Sequence, residues 1–304
     1  MTVADPACPI CGSRTSAAGI KKSALRAYHL RTCETCGFSY VADPDTANPY
    51  DDGYYRGKGA DRLVDYVFDA DHPGATVREL EWRGTYAIVS SCKAIGAETR
   101  WLDYGCGTGG FLRWLARNAP VSSAGYDVGR GAELARERGV DVLDDAGLAA
   151  AGPFDVVTAI EVLEHLVDPQ RTIDRIASLL APGGLFFYTT GNAARHRGSL
   201  AAWSYVVPQI HIAFFEPRTM ERALRAAGLE PAPASWSRGF SDVVAYKILK
   251  NLGVHRKSSP LTALPWQCVT AVVDRLFGIS AFPAGVKPGG HCESGTTTPS
   301  RADA

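Results

Sequence analysis

An acidic residue stands just ahead of a glycine-rich turn near the middle of the chain, in Asp103-Tyr104-Gly105-Cys106-Gly107-Thr108-Gly109-Gly110. Glycine lets the backbone turn tightly and lets a ligand approach without obstruction by a Cβ atom. The helix predicted to begin at Gly110 adds unpaired N–H groups at the same place. Open α/β sheets bind their ligands beside such a turn. The residues that we predict to bind a cofactor here are Asp103, Gly105, Cys106, Gly107 and Gly109.

Two known sequence motifs fit the spacing of these glycines. Gly105, Gly107 and Gly110 satisfy G-x-G-x-x-G, which is typical of dinucleotide sites. Gly105, Gly107 and Gly109 satisfy G-x-G-x-G, with an acid two residues before the first glycine, a form that resembles the first motif of class I S-adenosylmethionine-dependent methyltransferases. Asp103 would repel the pyrophosphate of a dinucleotide, whereas S-adenosylmethionine carries a cationic amino group and no phosphate. The acid therefore favours S-adenosylmethionine, and an NAD-dependent oxidoreductase is the alternative.

A second acid, Asp127, follows the next predicted strand about 20 residues beyond the glycines. A carboxylate in that position can accept hydrogen bonds from both hydroxyls of a ribose. Because dinucleotides and S-adenosylmethionine both contain ribose, Asp127 supports the binding of a nucleoside without choosing between the two cofactors.

The stretch from Phe154 to Leu166, FDVVTAIEVLEHL, is very similar to the fourth-strand motif of class I S-adenosylmethionine-dependent methyltransferases. The turn that contains Asp103 resembles the first motif of the same family, and the resemblance covers residues 99–240. It implies a Rossmann-like α/β fold, with a mostly parallel seven-stranded sheet in the order 3-2-1-4-5-7-6. It also implies that Glu161 lies near the methionine end of the cofactor and that Asp145 contacts the adenine.

Two cysteine pairs near the N-terminus have the spacing of a metal site. Cys8-Pro9-Ile10-Cys11 and Cys33-Glu34-Thr35-Cys36 are separated by 21 residues. This spacing approximates a four-cysteine zinc module, in which four thiolates close the tetrahedral shell and the metal is structural. We therefore predict that Cys8, Cys11, Cys33 and Cys36 bind zinc. A redox role for these thiols, or nucleic-acid binding by a zinc ribbon, is the alternative.

A cysteine-pair module joined to this core resembles bacterial methyltransferases that act on sugars and secondary metabolites. The segment Asn48-Pro49-Tyr50-Asp51-Asp52-Gly53-Tyr54-Tyr55-Arg56-Gly57 looks like the connector of such proteins, in which a tyrosine often covers the cofactor. Tyr54 and Tyr55 are therefore further candidates for cofactor binding, with ordinary packing as the alternative.

Two histidines are candidates for removing a proton from the methyl acceptor, because histidine suits this task near neutral pH. His165 follows the fourth strand, where the transferred methyl group should lie. His211 lies in a segment similar to the Glu-His-x-x-Tyr-Phe-Ser element of sugar C-methyltransferases, although Ile210 replaces the glutamate here.

Asn192 and Glu164 are candidates for substrate binding; a loop-capping asparagine and a helix-start acid are the alternatives.

Strand and helix patterns alternate from residue 99 onward, which indicates a parallel, doubly wound sheet. We divide the chain into a zinc-ribbon-like module (1–44), a connector and helix (45–98), the cofactor-binding core (99–240), a helical insert with the last strand (241–288) and a disordered tail (289–304). The insert is expected to line the substrate pocket. Plain packing, a homodimer contact or a membrane-surface role through Lys247 and its basic neighbours is the alternative.

The composition limits the partners. The 32 basic residues balance the 32 acidic ones, so there is no overall field to attract nucleic acid. No apolar run reaches the ~18–20 residues that cross a bilayer, and no secretory signal is evident, so a cytoplasmic location is expected. The expected substrate is a small molecule, either a nucleotide-linked sugar or a natural-product intermediate. An RNA methyltransferase is a further alternative.

Overall fold

The computed structural model describes residues 6–24, 26–45, 47–233, 238–277 and 282–289. Its strands in chain order are β1 Ser16–Lys22, β2 Ala27–Thr32, β3 Ser39–Val41, β4 Arg100–Tyr104, β5 Ser122–Tyr126, β6 Val142–Leu143, β7 Phe154–Ile160, β8 Leu180–Thr189, β9 Ala213–Phe214, β10 Glu230–Pro233 and β11 Pro283–Val286. Its α-helices are α1 Asp52–Tyr55, α2 Tyr66–Asp71, α3 Arg78–Cys92, α4 Gly110–Asn118, α5 Gly129–Glu137, α6 Asp145–Ala151, α7 Pro169–Leu179, α8 Pro217–Ala226, α9 Arg238–Asn251 and α10 Trp266–Phe277.

The larger sheet has the predicted topology. Within the described residues its order is β10-β11-β8-β7-β4-β5-β6. Strands β4 to β8 pair in parallel, and β11 lies antiparallel to both β8 and β10. Numbering these seven strands by their place in the chain gives 3-2-1-4-5-7-6, so the prediction of the fold is confirmed.

Helices cover both faces of this sheet, as the apolar sequence of β7 predicts. Val157 and Ala159 face one layer of apolar side chains, which includes Ile173 of α7 and Leu224 of α8. Val156 faces the opposite layer, which α3, α4 and α9 complete. The parallel strands consequently end at one protected edge, where the glycine-rich turn lies.

Strand β8 begins at Leu180, directly after α7. Gly183 N donates a hydrogen bond to Lys287 O, and Lys287 N donates one to Gly184 O. Gly183 and Gly184 are thus paired with the chain directly after β11.

The N-terminal segment forms a second sheet in the order β1-β2-β3-β9. Its last strand comes from the core: Ser39 of β3 pairs with Phe214 of β9. The module therefore shares backbone hydrogen bonds with the segment that carries His211. The domain boundaries stay predictions, and residues 290–304 of the predicted tail lie outside the described residues.

No helix in the described parts of the chain is both long enough and apolar enough to cross a membrane. The predicted helical insert is present as α9 and α10, and α9 packs against α3.

Candidate active site

A cavity of about 1250 Å³ opens at the carboxyl ends of β4, β5 and β7. Small-molecule sites usually occupy ~300–1,000 Å³, so this cavity has room for two ligands side by side. The predicted site residues that line it are Tyr54, Tyr55, Asp103, Gly105, Cys106, Gly107, Asp127, Glu161, His165, Asn192 and His211.

The glycine-rich turn forms one wall of the cavity. Gly105, Gly107 and Gly109 all have the left-handed backbone conformation, with φ of +81°, +53° and +76°. A Cβ atom on Gly105 would lie 2.4 Å from Val162 Cγ2. The turn therefore needs glycine both for its conformation and for the close approach of the chain after β7.

Asp127 braces this turn from the end of β5. Its Oδ2 accepts a hydrogen bond of 2.6 Å from Gly107 N, and its Oδ1 accepts one of 2.7 Å from Val128 N. Burial raises the pKa of the Asp127 carboxyl. Each oxygen keeps a further lone pair, so the carboxylate can still accept hydrogen bonds from a ligand in the cavity.

Asp103 is buried at the end of β4, with 5% of its surface exposed. Thr158 Oγ1 donates a hydrogen bond of 2.8 Å to its Oδ1. Burial nevertheless raises the pKa of the Asp103 carboxyl to about 7. A buried acid that faces a cavity and lacks a cationic partner among the described residues is suited to receive a cationic ligand.

Charged side chains meet at the end of the cavity beside α3 and α9. Glu161 follows β7 with a φ of +54° and lies 3.1 Å from Lys247 Nζ. The same Nζ lies 2.8 Å from Glu81 Oε1, and Arg78 Nε lies 3.1 Å from Glu81 Oε2. Burial raises the pKa of Glu161, but the charges of Lys247 and Lys250 and the hydrogen bonds from Lys247 and Thr189 together outweigh it, and the pKa is lowered to about 2. Glu161 is therefore ionised at neutral pH.

His165 and His211 line the cavity together, with ring centroids 5.0 Å apart. His165 Nδ1 lies 2.8 Å from Ile210 O, and His211 Nδ1 lies 2.8 Å from Tyr205 O. A carbonyl only accepts hydrogen bonds, so we assign the ring proton of each to Nδ1. Burial lowers the pKa of His165 to about 4 and also lowers that of His211. Both rings are consequently neutral, with a free lone pair on Nε2.

Glu164 lies fully buried behind these histidines. Tyr205 Oη donates a hydrogen bond of 2.5 Å to Glu164 Oε1, whereas Oε2 has no hydrogen-bond partner. Burial, and then the charge of Glu161, raise the pKa of Glu164 to about 8. One ligand atom from each of Glu164, His165 and His211 lies within 4.8 Å of the others. These three residues have the composition of a site for a divalent cation.

A family model described as a methyltransferase domain matches residues 55–233, which is more than half of the chain. The chain belongs to this methyltransferase family. It is an S-adenosylmethionine-dependent enzyme, and the prediction of this class from the sequence is confirmed. The family assignment decides against the alternative of an NAD-dependent oxidoreductase.

Two curated relatives of this methyltransferase have names that agree with its assignment to the family. It is 31% identical over 170 residues to a ubiquinone biosynthesis O-methyltransferase of Thiobacillus denitrificans, covering 50% of this chain and 70% of that protein. It is 32% identical over 190 residues to the protein of the same name from Xanthomonas axonopodis, covering 55% and 77%. Among solved structures, geranyl diphosphate C-methyltransferase from Streptomyces coelicolor is 14% identical, with a TM-score of 0.41, covering 57% of this chain and 74% of that chain.

The methyltransferase does not bring every predicted residue to the cavity. Asp145 lies at the start of α6, where its Oδ1 accepts hydrogen bonds from Tyr126 Oη at 2.8 Å and Arg175 Nη2 at 2.7 Å. Gly109 serves as the N-cap of α4. Asn192 does line the cavity, but its Oδ1 accepts a hydrogen bond from Ala194 N. The capping role that the sequence left as the alternative is therefore present, and the side-chain amide nitrogen remains available to a substrate.

The connector tyrosines of the methyltransferase lie over the cavity. Tyr54 and Tyr55 are buried and contact each other edge to face, with ring centroids 5.2 Å apart. Tyr50, which we had not predicted as a site residue, places its hydroxyl 2.9 Å from His165 Nδ1. The connector therefore contacts both the predicted cofactor site and a candidate catalytic histidine.

The four predicted cysteines of the methyltransferase lie together. Cys8 Sγ is 3.6 Å from Cys36 Sγ, Cys11 Sγ is 3.5 Å from Cys33 Sγ, and all four lie within 4.8 Å of one another. A tetrahedral zinc with Zn–S bonds of ~2.3 Å places its sulfurs about 3.8 Å apart, so the cluster has the size that zinc requires. The hydrogen bond from the Cys36 thiol lowers the pKa of Cys8 to about 5.

Sequence reasoning missed several side chains that the fold brings to the cavity. Tyr205, Glu81 and Arg78 were not singled out, and Lys247 was named only in the alternative of a membrane-surface role. Arg78 and Glu81 are three residues apart on α3, which is the spacing of a helical ion pair. That spacing was a usable signal, although it is common on helices that face solvent.

Proposed function

We propose that the enzyme methylates an oxygen atom of a small-molecule acceptor that is bound between the cofactor and the two histidines. The observation that carries this proposal is the pair His165 and His211, whose neutral rings face the same cavity as Asp103 and Asp127. The names of the relatives, which are O-methyltransferases, support oxygen rather than carbon as the acceptor atom. A nucleotide-linked sugar and a natural-product intermediate remain the proposed acceptor classes.

S-adenosylmethionine, when bound, supplies an electrophilic methyl group on a sulfonium. We assign the ammonium of its methionine moiety to Asp103 and the hydroxyls of its ribose to Asp127. Tyr54 and Tyr55 are proposed to cover the cofactor. The left-handed glycines, of which Gly105 and Gly109 have no room for a Cβ atom, and the buried acid, whose pKa is raised by burial, support this fit. Asp145 is proposed only as a support for Tyr126, since it does not line the cavity.

We assign the removal of the acceptor's proton to the histidines. The Nε2 lone pair of His165 or His211 would take the hydroxyl proton of the acceptor, and the deprotonated oxygen would receive the methyl group that the bound cofactor would supply. The backbone carbonyls of Ile210 and Tyr205 hold each ring in the orientation that this transfer needs. The acceptor hydroxyl thus loses its proton in the same place where it meets the methyl group.

Replacing His165 or His211 with asparagine is expected to lower kcat by ~10²–10⁴-fold, the usual contribution of a positioned general base. The affinity for S-adenosylhomocysteine should stay within twofold, because neither ring is assigned to the cofactor. The assay transfers labelled methyl groups to a panel of phenols and nucleotide sugars, and NMR locates the methyl group in the product. Full turnover by both variants would refute the role in proton removal, and a product methylated on carbon would refute the oxygen assignment.

Replacing Asp127 with alanine is expected to weaken S-adenosylhomocysteine binding by ~10–100-fold, since a bidentate contact to charge is lost and the turn loses its brace. Calorimetry measures the affinity. Asp127→Asn serves as the matched control, because it keeps the size of the side chain and one hydrogen-bonding oxygen. Its affinity for S-adenosylhomocysteine should therefore fall less than that of the alanine variant. Unchanged affinity in the alanine variant would show that the ribose binds elsewhere.

A second arrangement of the same site is favoured by the proximity of Glu164, His165 and His211. If these three hold a divalent cation, the cation would take over the activation of the acceptor oxygen. Dialysis against a chelator, followed by addition of Mg²⁺ or Mn²⁺, distinguishes the two arrangements. Restoration of activity by these ions favours the cation, and full activity without them favours the histidines as proton acceptors.

We also propose that Cys8, Cys11, Cys33 and Cys36 hold a structural zinc ion, which the size of the cluster supports. With four thiolates the coordination shell is closed, so the metal stabilises the fold and takes no part in methyl transfer.

A further inference from the structure

One turn of the core lies between the N-terminal sheet and the cavity. It comprises residues 200–206, and its buried side chains, Leu200 and Val206, belong to the same apolar cluster as the inward-facing residues of β2. Trp203 and Tyr205 of this turn line the cavity. The turn therefore connects the cysteine-pair module to the wall that carries the candidate proton acceptors.

Lys21 of β1 holds this turn by its backbone. Its Nζ donates a hydrogen bond of 2.9 Å to Ala201 O and another of 3.1 Å to Trp203 O. Hydrogen bonds from a charged donor are stronger than those between neutral groups. A Cβ atom on Gly19, two residues earlier on β1, would lie 3.6 Å from Ala201 Cβ. Strand β1 and the turn are thus in direct contact as well as hydrogen-bonded.

The turn in turn supports Tyr205, whose side chain is fixed at its two ends by different parts of the chain. At the far end the hydroxyl donates a hydrogen bond to Glu164 Oε1 and accepts one of 3.1 Å from Gly191 N. At the backbone end the ring of Trp203 stacks on the ring of Tyr205, with centroids 4.9 Å apart. The core therefore fixes the hydroxyl, whereas the position of the backbone depends on the turn.

His211 contacts the backbone end of Tyr205. Its Nδ1 donates a hydrogen bond of 2.8 Å to Tyr205 O, and the two rings lie 4.3 Å apart. This hydrogen bond keeps the proton on Nδ1 and the lone pair on Nε2, where a proton from the acceptor is to be received. A displacement of the turn would consequently move the carbonyl that orients the ring.

We propose that Lys21 is a positioning residue for methyl transfer, which acts through the turn to hold Tyr205 O where it orients His211. The inference rests on the proposed role of His211 as a proton acceptor and adds a residue from the N-terminal module to its support. Lys21 is not among the residues that line the cavity, so it acts without touching either ligand. The module thus serves the reaction as well as the fold.

A double-mutant cycle of the purified full chain tests the proposal. Lys21→Met is expected to lower kcat by ~10–100-fold, because displacement of a positioned group by about 1 Å can cost ~100-fold. In the His211→Asn background the same change should lower kcat by less than about threefold, since the ring that Lys21 positions is already absent. The affinity for S-adenosylhomocysteine should stay within about twofold throughout, because the cofactor site does not include the turn.

Lys22→Met is the matched control. Lys22 is the next residue of β1, is exposed and faces the opposite side of the strand, so its replacement should leave kcat unchanged. Lys21→Arg keeps a cation that can donate to both carbonyls and should retain kcat within about threefold of wild type. If Lys21→Met does not fold, Lys21→Gln, which keeps two N–H donors without the charge, takes its place in the cycle.

An equal loss of kcat in both backgrounds would show that Lys21 does not act through His211. An unchanged kcat in Lys21→Met would show that the turn needs no support from β1, and either result overturns the inference. Failure of the proposed function gives a different result: His211→Asn alone would keep full turnover. That outcome removes the proton acceptor and the role of Lys21 together.

Discussion

Replacing Asp103 with asparagine is expected to weaken the binding of S-adenosylhomocysteine by ~100-fold at pH 8. Asparagine keeps the size of the side chain and the hydrogen bond with Thr158, but it removes the charge that faces the ligand's ammonium. Loss of one partner of a buried charge pair costs ~3–5 kcal/mol, and partial access of water to the cavity reduces this to the hundredfold expected here.

The affinity of the unchanged protein should depend on pH, because the pKa of Asp103 is raised to about 7. Only the ionised carboxylate attracts an ammonium. As the pH falls from 8 to 6 the ionised fraction drops from ~90% to ~10%, so the affinity should fall by about tenfold. It should level off above pH 8, since Asp103 is then fully ionised.

Calorimetry between pH 6 and pH 8.5 measures both effects. The Asp103→Asn variant should bind S-adenosylhomocysteine weakly at every pH, and its affinity should no longer depend on pH. Asp155→Asn is a suitable control, because Asp155 accepts a hydrogen bond from Arg100 N at the opposite end of the sheet and does not line the cavity. An asparagine variant that binds as tightly as wild type would show that the acid does not select the cofactor.

Replacing Cys36 with serine is expected to remove the bound zinc and to lower the free energy of unfolding by more than ~3 kcal/mol. Structural zinc contributes ~10–16 kcal/mol of apparent binding energy in small modules, and loss of one thiolate forfeits a large part of it. Cys36 is also tied to the core, because Thr219 Oγ1 of α8 donates a hydrogen bond of 2.7 Å to Cys36 O.

Metal analysis and denaturant unfolding of the purified protein measure these two changes. Because β3 pairs with β9, the loss of zinc should also disturb the segment that begins at His211 and so reduce methyl transfer. Cys92→Ser provides the control, since Cys92 is exposed and lies outside the cluster. A native protein that contains no metal, or that keeps its stability after chelation, would rule out the structural zinc.

The sequence predicted those features of the site whose geometry is local. The acid and glycines from Asp103 to Gly109 form one turn, and the two cysteine pairs each form one knuckle, so spacing along the chain is enough to indicate them. The strands and helices from residue 99 onward were likewise visible in the apolar pattern. The order of the sheet came from the resemblance to a known family rather than from spacing.

Expectations that rested only on the position of a residue after a strand, or on helical spacing, were less informative. Asp145 follows β6, as expected of an adenine contact, but Arg175 and Tyr126 hold its carboxylate away from the cavity. Helical spacing identified α9 correctly, yet the same spacing suits a solvent-facing, a membrane-facing or a buried surface. The insert was expected to line the pocket, and Val243, Val244 and Lys247 do line the cavity, but the ion pairs of Lys247 with Glu81 and Glu161 could not be read from the spacing.

The sequence indicated the class of the enzyme through its resemblance to a known family, and by itself it indicated the glycine-rich turn and the two cysteine pairs that lie together in the structure. The tertiary structure alone decided that Lys247 of α9 lies between Glu81 and Glu161, that Glu164 is buried behind two neutral histidines, and that the N-terminal sheet takes a strand from the core. The reason is physical: a turn is specified by neighbouring residues, whereas burial and ion pairing depend on which distant surfaces pack together.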